Sequence, residues 1–317
     1  MKLSFVIPCY GSQDTIEFVI SEIDSVMSQQ PEFDYEIICV NDASNDNVYS
    51  VLKRIISVNP RVIAVDLTRN MGKHAAVMAG YSLVTGDVII NLDDDGQCPI
   101  PYLWELLKPL NDGYDIAMAK YHSKKQSGFK NFGSSVNAFM SRLLIGRPKN
   151  LTIENFSAIK RFIIDEIVKY QNPYPYLEGL YLRTTSKIAN VEMEQRERVA
   201  GVGNFTLGKS LKLWLNGFTA FSVLPLRFAS IIGSLIAFVG FIMGIYIIIR
   251  RIFIFPEMQL GWPSTIVLIL FIGGIIMLML GMLGEYIGRL YISINNAPQY
   301  VIREIATSSK NDNDKMT

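Results

Sequence analysis

Three consecutive carboxylates follow a short run of apolar, β-forming residues. The run reads VIINL, the acidic residues are Asp93, Asp94 and Asp95, and Gln97 comes two residues later. Neighbouring carboxylates repel one another at neutral pH, and a fold that gathers them commonly offsets the repulsion with a cation. In extended geometry Asp93, Asp95 and Gln97 would point to one face, and their oxygen atoms suit Mg²⁺ or Mn²⁺. The alternative interpretation is a solvated acidic turn that caps the next helix.

Two further polar segments, NDASND and TRNMGKH, follow apolar runs in the same way. Asp42 could accept hydrogen bonds from a base or a ribose, whereas Asp46 is better placed to cap the helix that follows. Arg69 and Lys73 lie near a predicted helix N-terminus, an arrangement that suits an anion, although solvated surface cations would look the same. His74 is interpreted as a helix residue without a chemical role.

A pair of arginines lies farther along the chain, just before the glycine-rich segment AGVGNF. Arg196 and Arg198 are two residues apart, so they share one side of an extended segment. They could meet an anion that arrives from a membrane surface, or they could bind anionic lipid headgroups. Both interpretations place this part of the chain next to lipid.

The elements that position these residues alternate regularly between strand and helix patterns. Such alternation predicts βαβ units and a largely parallel α/β sheet, whose ligands bind beyond the carboxyl ends of the strands. A nicotinamide-dependent dehydrogenase is disfavoured because no G-x-G-x-x-G motif follows the first strand. The predicted pairs are LSFVIP with helix 14–29, YEIICV with 46–58, RVIAVDL with 72–84 and DVIINL with 99–110, before the strand YDIAMA.

The next part of the chain begins with KYHSKKQSGFKNFGSS, a basic, small-residue segment that predicts a mobile loop. A short strand at NFSAIK and a helix over 162–170 follow. The two prolines of QNPYPYLEGL predict a turn, and KIANVEMEQ alternates as a strand does.

Two long uncharged runs stand near the carboxyl end, Phe228 to Ile249 and Ser264 to Gly284. Each is long enough to cross a hydrocarbon core of roughly 30 Å as a helix, although buried core helices are an alternative. The stretch before them mixes aromatic residues with lysines and predicts an interfacial segment. We therefore expect a catalytic domain over 1–204, an interfacial segment over 205–227, a two-helix transmembrane hairpin over 228–290 and a cytosolic tail over 291–317.

Basic residues flank both outer ends of the predicted hairpin, which favours tails on the cytoplasmic side. Arg250 and Arg251 lie between the spans and argue the other way, but arginines near helix ends can snorkel to lipid phosphates. The amino-terminal residues have no signal-peptide pattern, and the three cysteines lack metal-site spacing. We expect a multi-pass protein of the inner or plasma membrane with its catalytic domain in the cytoplasm.

In combination these motifs resemble family 2 glycosyltransferases of the GT-A fold, which have a Rossmann-like catalytic domain. The resemblance is to the branch of polyprenyl-phosphate sugar transferases that includes dolichol-phosphate mannose synthases and bactoprenol glucosyltransferases. It extends over nearly the whole chain. The matching segments are VIPCYGSQDTI, VNDASND for VDDGSxD, LTRNMGKHAAVMAG for LsRNxGKxxAxxAG, LDDDGQCP for DADLQdPP, RVAGVGNF for RxxGxSxY, GFTAFSVLPLR and LGEYIGRLY.

The resemblance implies a site made of a nucleotide-sugar pocket, a divalent metal and an acceptor phosphate. Mg²⁺ or Mn²⁺ would lie against the donor pyrophosphate. The implied residues are Pro8, Tyr10, Asp42, Arg69, Lys73 and Asp93 for the nucleotide sugar, Asp93, Asp95 and Gln97 for the metal, and Arg196 and Arg198 for the acceptor phosphate.

The chain departs from the family pattern at a residue proposed as a base. Many relatives carry an aspartate in a DFRLxxR element, whereas this chain reads IENFSAIKR and has Asn155 at that position. Glu154 is adjacent and is a candidate for the catalytic carboxylate, although neighbours on a strand face opposite sides. Asp94 replaces the usual alanine and has no assigned role.

The resemblance implies inverting transfer of a hexose, with glucose the leading expectation, from a UDP-sugar to undecaprenyl or another polyprenyl phosphate. The product would serve modification of a cell-envelope glycan. A phosphate monoester with a second pKa of about 6 is mostly dianionic at pH 7 and needs little help from a base. The alternatives are a transferase acting on a lipid-linked saccharide and a catalytically silent donor-binding membrane partner. Membrane lipid is an expected partner and nucleic acid is not, while a homo-oligomer remains open.

Overall fold

The computed structural model describes residues 1–121, 148, 150–194, 196, scattered positions from 231 to 249, 261–294 and 298–308. Two units are distinguished, Met1–Leu211 together with Asn296–Thr317, and Lys212–Asn295. The predicted mobile loop beyond Tyr121, the interfacial segment 205–227 and Arg198 lie outside the described residues.

The first unit has the predicted alternation of strands and helices. Five strands and four helices follow one another up to Tyr121. They are β1 (Lys2–Cys9), α1 (Ile16–Met27), β2 (Asp34–Asn41), α2 (Val48–Val58), β3 (Val62–Leu67), α3 (Lys73–Tyr81), β4 (Val88–Asn91), α4 (Leu103–Asn111) and β5 (Ile116–Tyr121). Then come β6 (Ser157–Lys160), α5 (Arg161–Ile167), α6 (Leu177–Thr184), β7 (Ile188–Met193) and β8 (Ile302–Ala306).

The strands form one sheet in the order β7-β5-β6-β4-β1-β2-β3-β8. β1 pairs in parallel with β2 and β4, and β2 pairs in parallel with β3, so the carboxyl ends of these four strands meet at one edge. β6 runs antiparallel between β4 and β5. The central strands are buried on both faces, which explains their continuous apolar sequences.

Helix α3 packs closely onto the sheet because it is built from small residues. A Cβ atom added to Gly80 would lie only 2.5 Å from a methyl carbon of Val6 on β1. Ala75, Ala76 and Ala79 on the same helix are also buried. This close packing fixes the amino-terminal end of α3, where Lys73 lies, next to the carboxyl ends of the strands.

Two elements were not predicted from the sequence. Helix α6 begins at Leu177, directly after the proline-containing turn, and buries Leu177, Leu180 and Tyr181. Strand β8 lies in the segment predicted as a cytosolic tail and pairs antiparallel with β3. It therefore covers what would otherwise be an open edge of the sheet.

The second unit contains the long helix α7, Trp262–Ile294. Its apolar window Phe271–Gly288 has a mean hydropathy of 1.7 and no buried residues, and among the described residues it is the one helix long and apolar enough to cross a membrane. This window overlaps the second predicted span. Of the first predicted span, 228–249, only scattered positions are described, and these are helical.

Candidate active site

The loops that follow β1, β2, β3 and β4 contact one another at the carboxyl edge of the sheet. The backbone N–H of Gly11, after β1, donates to Ser44 Oγ, after β2, at 2.8 Å. The backbone N–H groups of Met71 and Gly72, after β3, donate to the Asp42 carboxylate at 2.7 and 2.8 Å. The polar residues predicted to gather here are therefore brought together by the parallel topology.

The acidic segment after β4 is a turn and not an extended strand. β4 ends at Asn91, Gly96 has a φ of +74°, and Asp95 Oδ1 accepts a hydrogen bond from the Gln97 backbone N–H at 3.1 Å. Glycine tolerates this left-handed backbone, and aspartate favours the local turn. The extended row predicted for Asp93, Asp95 and Gln97 is therefore wrong, although all three side chains remain in one short turn.

Asp94 points inward and fastens two loops together. Its Oδ2 atom accepts the backbone N–H of Tyr10 at 3.0 Å, and its carbonyl oxygen accepts the Thr15 hydroxyl at 2.6 Å. Burial raises the pKa of Asp94 to about 6, even though the Tyr10 N–H acts in the opposite direction. No role for Asp94 is predictable from the sequence, because nothing in the local pattern distinguishes an inward carboxylate from an outward one.

Asp93 lies between two protein donors. Its Oδ1 atom forms an ion pair with Lys73 Nζ, and its Oδ2 atom accepts a hydrogen bond from Asn155 Nδ2 at 2.9 Å. Asn155, which occupies the position of the relatives' aspartate, thus donates a hydrogen bond to the Asp93 carboxylate. An aspartate at position 155 would instead bring two carboxylates into contact, which is electrostatically unfavourable.

Asp42 is almost fully buried, with 3% of its surface exposed. Burial raises the pKa of Asp42, and the N–H groups of Met71 and Gly72 counteract that rise. The carboxylate therefore braces the loop between β3 and α3. Its predicted contact with a base or ribose stays a prediction, as do the nucleotide contacts of the exposed Tyr10 and of Arg69.

A pocket of roughly 470 Å³, measured out to its open mouth, lies beside this cluster. It brings together four residues singled out from the sequence, Pro8, Lys73, Asp93 and Glu154. Asn155 also lines it. The other lining residues are His74, Val77, Asn91, Leu92, Ile153, Leu177, Glu178 and Tyr181.

His74 belongs to this lining, although it was interpreted from the sequence as a helix residue without a chemical role. Burial, together with the charge of Lys73, lowers the pKa of His74 to about 4, so its imidazole is neutral at pH 7. Its ring lies edge-on to Tyr176 with the centroids 5.6 Å apart. Its Nδ1 atom is buried and has no hydrogen-bond partner within the described part of the chain. Its position next to Lys73 was the one signal that could have drawn attention to it.

Arg196 lies against the acidic turn. Its backbone N–H donates to the Gln97 carbonyl at 3.4 Å, and Gln97 Nε2 donates back to the Arg196 carbonyl at 3.4 Å. The guanidinium forms an ion pair with Glu22 on α1. The predicted contact of Arg196 with an acceptor phosphate stays a prediction, and Arg198 lies outside the described residues.

The side chains of the acidic turn have donor atoms that suit a hard divalent cation. Asp93, Asp95 and Gln97 all offer oxygen, the ligand that Mg²⁺ and Mn²⁺ prefer. Among the described residues no group of three or more His, Cys, Asp or Glu side chains could hold a metal ion. The oxygen atoms of this turn are of the kind that bind Mg²⁺ and Mn²⁺, and the predicted metal contact stays a prediction.

Comparison with known proteins identifies both the family and the fold. The model of glycosyl transferase family 2 matches residues 4–168. A bactoprenol glucosyl transferase derived from the SfII prophage of Shigella flexneri is 31% identical over 305 residues, which cover 96% of this chain and 98% of the relative. An undecaprenyl-phosphate 4-deoxy-4-formamido-L-arabinose transferase from Serratia proteamaculans is 32% identical over 320 residues, 98% of this chain and 96% of the relative.

A solved structure shares the fold at low sequence identity. The crystal structure of mannosyl-3-phosphoglycerate synthase from Rubrobacter xylanophilus superposes with a TM-score of 0.51 at 17% identity, covering 68% of this chain and 71% of that one. This likeness concerns the α/β fold with its mostly parallel sheet.

Proposed function

Because the chain belongs to glycosyltransferase family 2 and is a glycosyltransferase of GT-A-like fold, we propose that it transfers a hexose from a UDP-sugar to undecaprenyl or another polyprenyl phosphate. The observation that carries this proposal is similarity over almost the full length of relatives whose names specify bactoprenol and undecaprenyl phosphate. Glucose is the proposed sugar because bactoprenol glucosyl transferases recur among these relatives. The product would serve modification of a cell-envelope glycan.

The donor pyrophosphate would bind where α3 begins, beside the acidic turn. Lys73 is the first residue of α3, and a helix N-terminus with an adjacent ammonium group favours an anion. Asp93, Asp95 and Gln97 would hold Mg²⁺ or Mn²⁺, which when bound neutralises the charge that develops on the leaving diphosphate. Asp94 keeps the loop with Tyr10 against this turn, so the nucleotide and pyrophosphate parts of the site are held in register.

The acceptor phosphate would attack the anomeric carbon directly. A new bond forms between that carbon and a phosphate oxygen, the bond to the diphosphate breaks, and the products are polyprenyl-phosphate sugar and UDP. The amide of Asn155 cannot take a proton at neutral pH, but a phosphate monoester is mostly dianionic there and needs none removed. Among the carboxylates that line the pocket, Glu154 is the one proposed to act if a base contributes, because it is adjacent to Asn155.

The acceptor would be held by Arg196 and Arg198, which offer bidentate donors to phosphate. Arg196 would then exchange its ion pair with Glu22 for the lipid phosphate. Two membrane helices over 228–290 and an interfacial segment over 205–227 would keep the site at the cytoplasmic surface of the membrane, where the isoprenoid phosphate is accessible. The apolar window of α7 supports the second of these helices.

The test is turnover by the purified full-length chain in lipid nanodiscs. It would be incubated with undecaprenyl phosphate, a panel of UDP-sugars and Mg²⁺ or Mn²⁺, and UDP release and the mass of the lipid product would be measured. Asp95→Asn should abolish most product formation, whereas Asp112→Asn, an exposed residue at the end of α4, should leave it unchanged. Absence of turnover with every donor would refute the proposed transfer reaction. Full activity of Asp95→Asn would refute the proposed role of the metal.

The alternative of a catalytically silent donor-binding partner is favoured by one observation, the amide at position 155 in place of an aspartate. Such a protein would bind UDP-sugar without forming a metal-dependent product. Calorimetric titration with UDP beside the turnover assay separates the two functions.

A further inference from the structure

Strand β8 contains an irregularity that singles out one residue. Glu304 pairs with Asp66 and Ile302 pairs with Leu67, so Arg303 is an extra residue with no partner in the ladder. A β-bulge of this kind redirects a side chain and is frequent near functional sites. Here it occurs where β3 runs out into the loop that carries Arg69 and Met71.

The bulge directs the Arg303 guanidinium onto the carboxyl end of β3. Nη1 donates to Asp66 Oδ2 at 2.9 Å, and Nη2 donates to the carbonyl oxygen of Thr68 at 3.1 Å. The backbone N–H of Thr68 in turn donates to the Val301 carbonyl at 2.9 Å. The Asp66 side chain is only 6% exposed, whereas that of Arg303 is 58% exposed, so the guanidinium reaches from the surface to a buried carboxylate.

The contact continues from Asp66 into the loop after β2. Asp66 Oδ1 accepts a hydrogen bond from Asn41 Nδ2 at 2.7 Å, and Asn41 Oδ1 accepts the backbone N–H of Ser44 at 3.0 Å. Ser44 Oγ accepts the backbone N–H of Gly11 at 2.8 Å. A continuous series of hydrogen bonds therefore joins Arg303 to the loops after β2 and β1.

These loops carry the residues proposed to line the nucleotide pocket. Tyr10 precedes Gly11, and Asp42 follows Asn41 and holds the loop after β3 through the backbone of Met71 and Gly72. Arg303 thus contacts the end of β3 directly and reaches the other two loops through Asp66 and Asn41. If the positive charge of Arg303 were removed, Asp66 would remain a buried carboxylate opposite Glu304, its partner in the ladder.

We propose that Arg303 is a positioning residue for the donor nucleotide, which acts through Asp66 and Asn41 without touching the donor itself. The inference rests on the proposed function, because it takes the loops after β1, β2 and β3 to be the nucleotide pocket. Strand β8, which follows the apolar helix α7 in the chain, would thus take part in the specific binding of a soluble substrate.

The experiment measures UDP binding to the full-length chain by calorimetric titration in the presence of Mn²⁺. Arg303→Met should weaken UDP binding and raise the KM for UDP-glucose by about 2- to 30-fold, while kcat and the KM for undecaprenyl phosphate stay within twofold. Arg303→Lys should restore part of the affinity, because an ammonium group can pair with Asp66 but lacks the fork that also reaches Thr68. If Arg303 had a purely structural role, its substitution would lower kcat and the kcat/KM values for both substrates together.

The matched control is Lys53→Met, which removes the ion pair between Lys53 and Glu304 on the same strand without touching Asp66. It should bind UDP as the wild type does. Wild-type UDP affinity in Arg303→Met, or an equal loss in Lys53→Met, would overturn the proposal. If Arg303→Met fails to fold, Asp66→Asn decides in its place, since the proposal requires weaker UDP binding in that variant.

The outcomes also separate this proposal from the function on which it rests. A wild-type chain that binds UDP but forms no lipid product would refute the proposed transfer reaction, and the comparison of UDP affinities would still stand. A wild-type chain that binds no nucleoside diphosphate would overturn both.

Discussion

Restoring the relatives' aspartate at position 155 should lower activity and not raise it. In Asn155→Asp, an oxygen replaces the amide nitrogen that now lies 2.9 Å from Asp93 Oδ2. Two unit charges at that distance repel by about 1.4 kcal/mol in water and by about 6 kcal/mol at an effective dielectric constant of about 20. Because Asn155 is exposed and Asp93 is partly exposed, the lower repulsion energy applies. An energy of about 1.4 kcal/mol corresponds to about a tenfold change in an equilibrium or rate constant. A hydrogen bond to the Asp93 carboxylate is lost as well.

We therefore expect kcat/KM for UDP-glucose to fall at least about tenfold in Asn155→Asp. The assay is the initial rate of UDP release with undecaprenyl phosphate as acceptor, with thermal unfolding measured alongside. Asn155→Ala, which loses the hydrogen bond without adding charge, should fall less. Asn111→Asp, which adds a charge at an exposed position at the end of α4, should retain wild-type rates. Activity of Asn155→Asp equal to or above that of the wild type would refute this reasoning and show that the chain lacks a base it needs.

Three further outcomes are expected from the same structure. Burial raises the pKa of Glu36, but hydrogen bonds from Ser4, Thr85 and Lys2 outweigh it, so the pKa in the folded state lies below the value of 4.5 in the unfolded state. The stabilisation that the ionised Glu36 gives to the fold is therefore present above pH 4.5 and is lost as the pH falls through the folded-state pKa. Urea unfolding between pH 7 and 3 should show a steeper loss of unfolding free energy for the wild type than for Glu36→Gln. Gly80→Ala should lower the free energy of unfolding by about 1–3 kcal/mol, because the added methyl group collides with a buried side chain of β1. Lys73→Met should raise the KM for the donor while changing the melting temperature little, because a partly exposed ion pair contributes about 0–1 kcal/mol.

The Gly80→Ala prediction has a control variant, and the other two predictions have defined contradicting results. Gly273→Ala in α7, where an added Cβ has no neighbour within 4 Å, should leave thermal stability unchanged. Identical acid profiles for the wild type and Glu36→Gln would contradict the pKa argument. A large fall in melting temperature for Lys73→Met with an unchanged donor KM would mean that Lys73 stabilises the fold and does not bind the donor.

The regular part of the fold was predictable because it depends on local periodicity. Continuous apolar runs such as YEIICV become buried parallel strands, and the parallel topology alone brings Asp42, Lys73 and Asp93 to one edge. The direction of each side chain was not predictable in the same way. Whether Asp94 turns inward depends on the left-handed backbone at Gly96 and on a donor, the Tyr10 N–H, that is distant in sequence.

The edge strand β8 and the helix α6 were hidden from the sequence for different reasons. β8 is short, and its side chains are exposed or partly exposed, so no apolar alternation marks it as a strand. Its partner β3 is more than 230 residues away along the chain. Helix α6 was obscured by the prolines before it, although these residues mark its beginning, because a helix cannot readily extend back through them.

The position of β8 in the chain has a consequence for biosynthesis. While the protein is being translated, residues 302–306 leave the ribosome only after all of α7 has been made. Until then β3 is the last strand of the sheet, and the backbone donors and acceptors on the side away from β2 are unpaired and able to recruit another chain. The first unit is thus most exposed to edge-to-edge association during the interval in which the apolar helix α7 is being made.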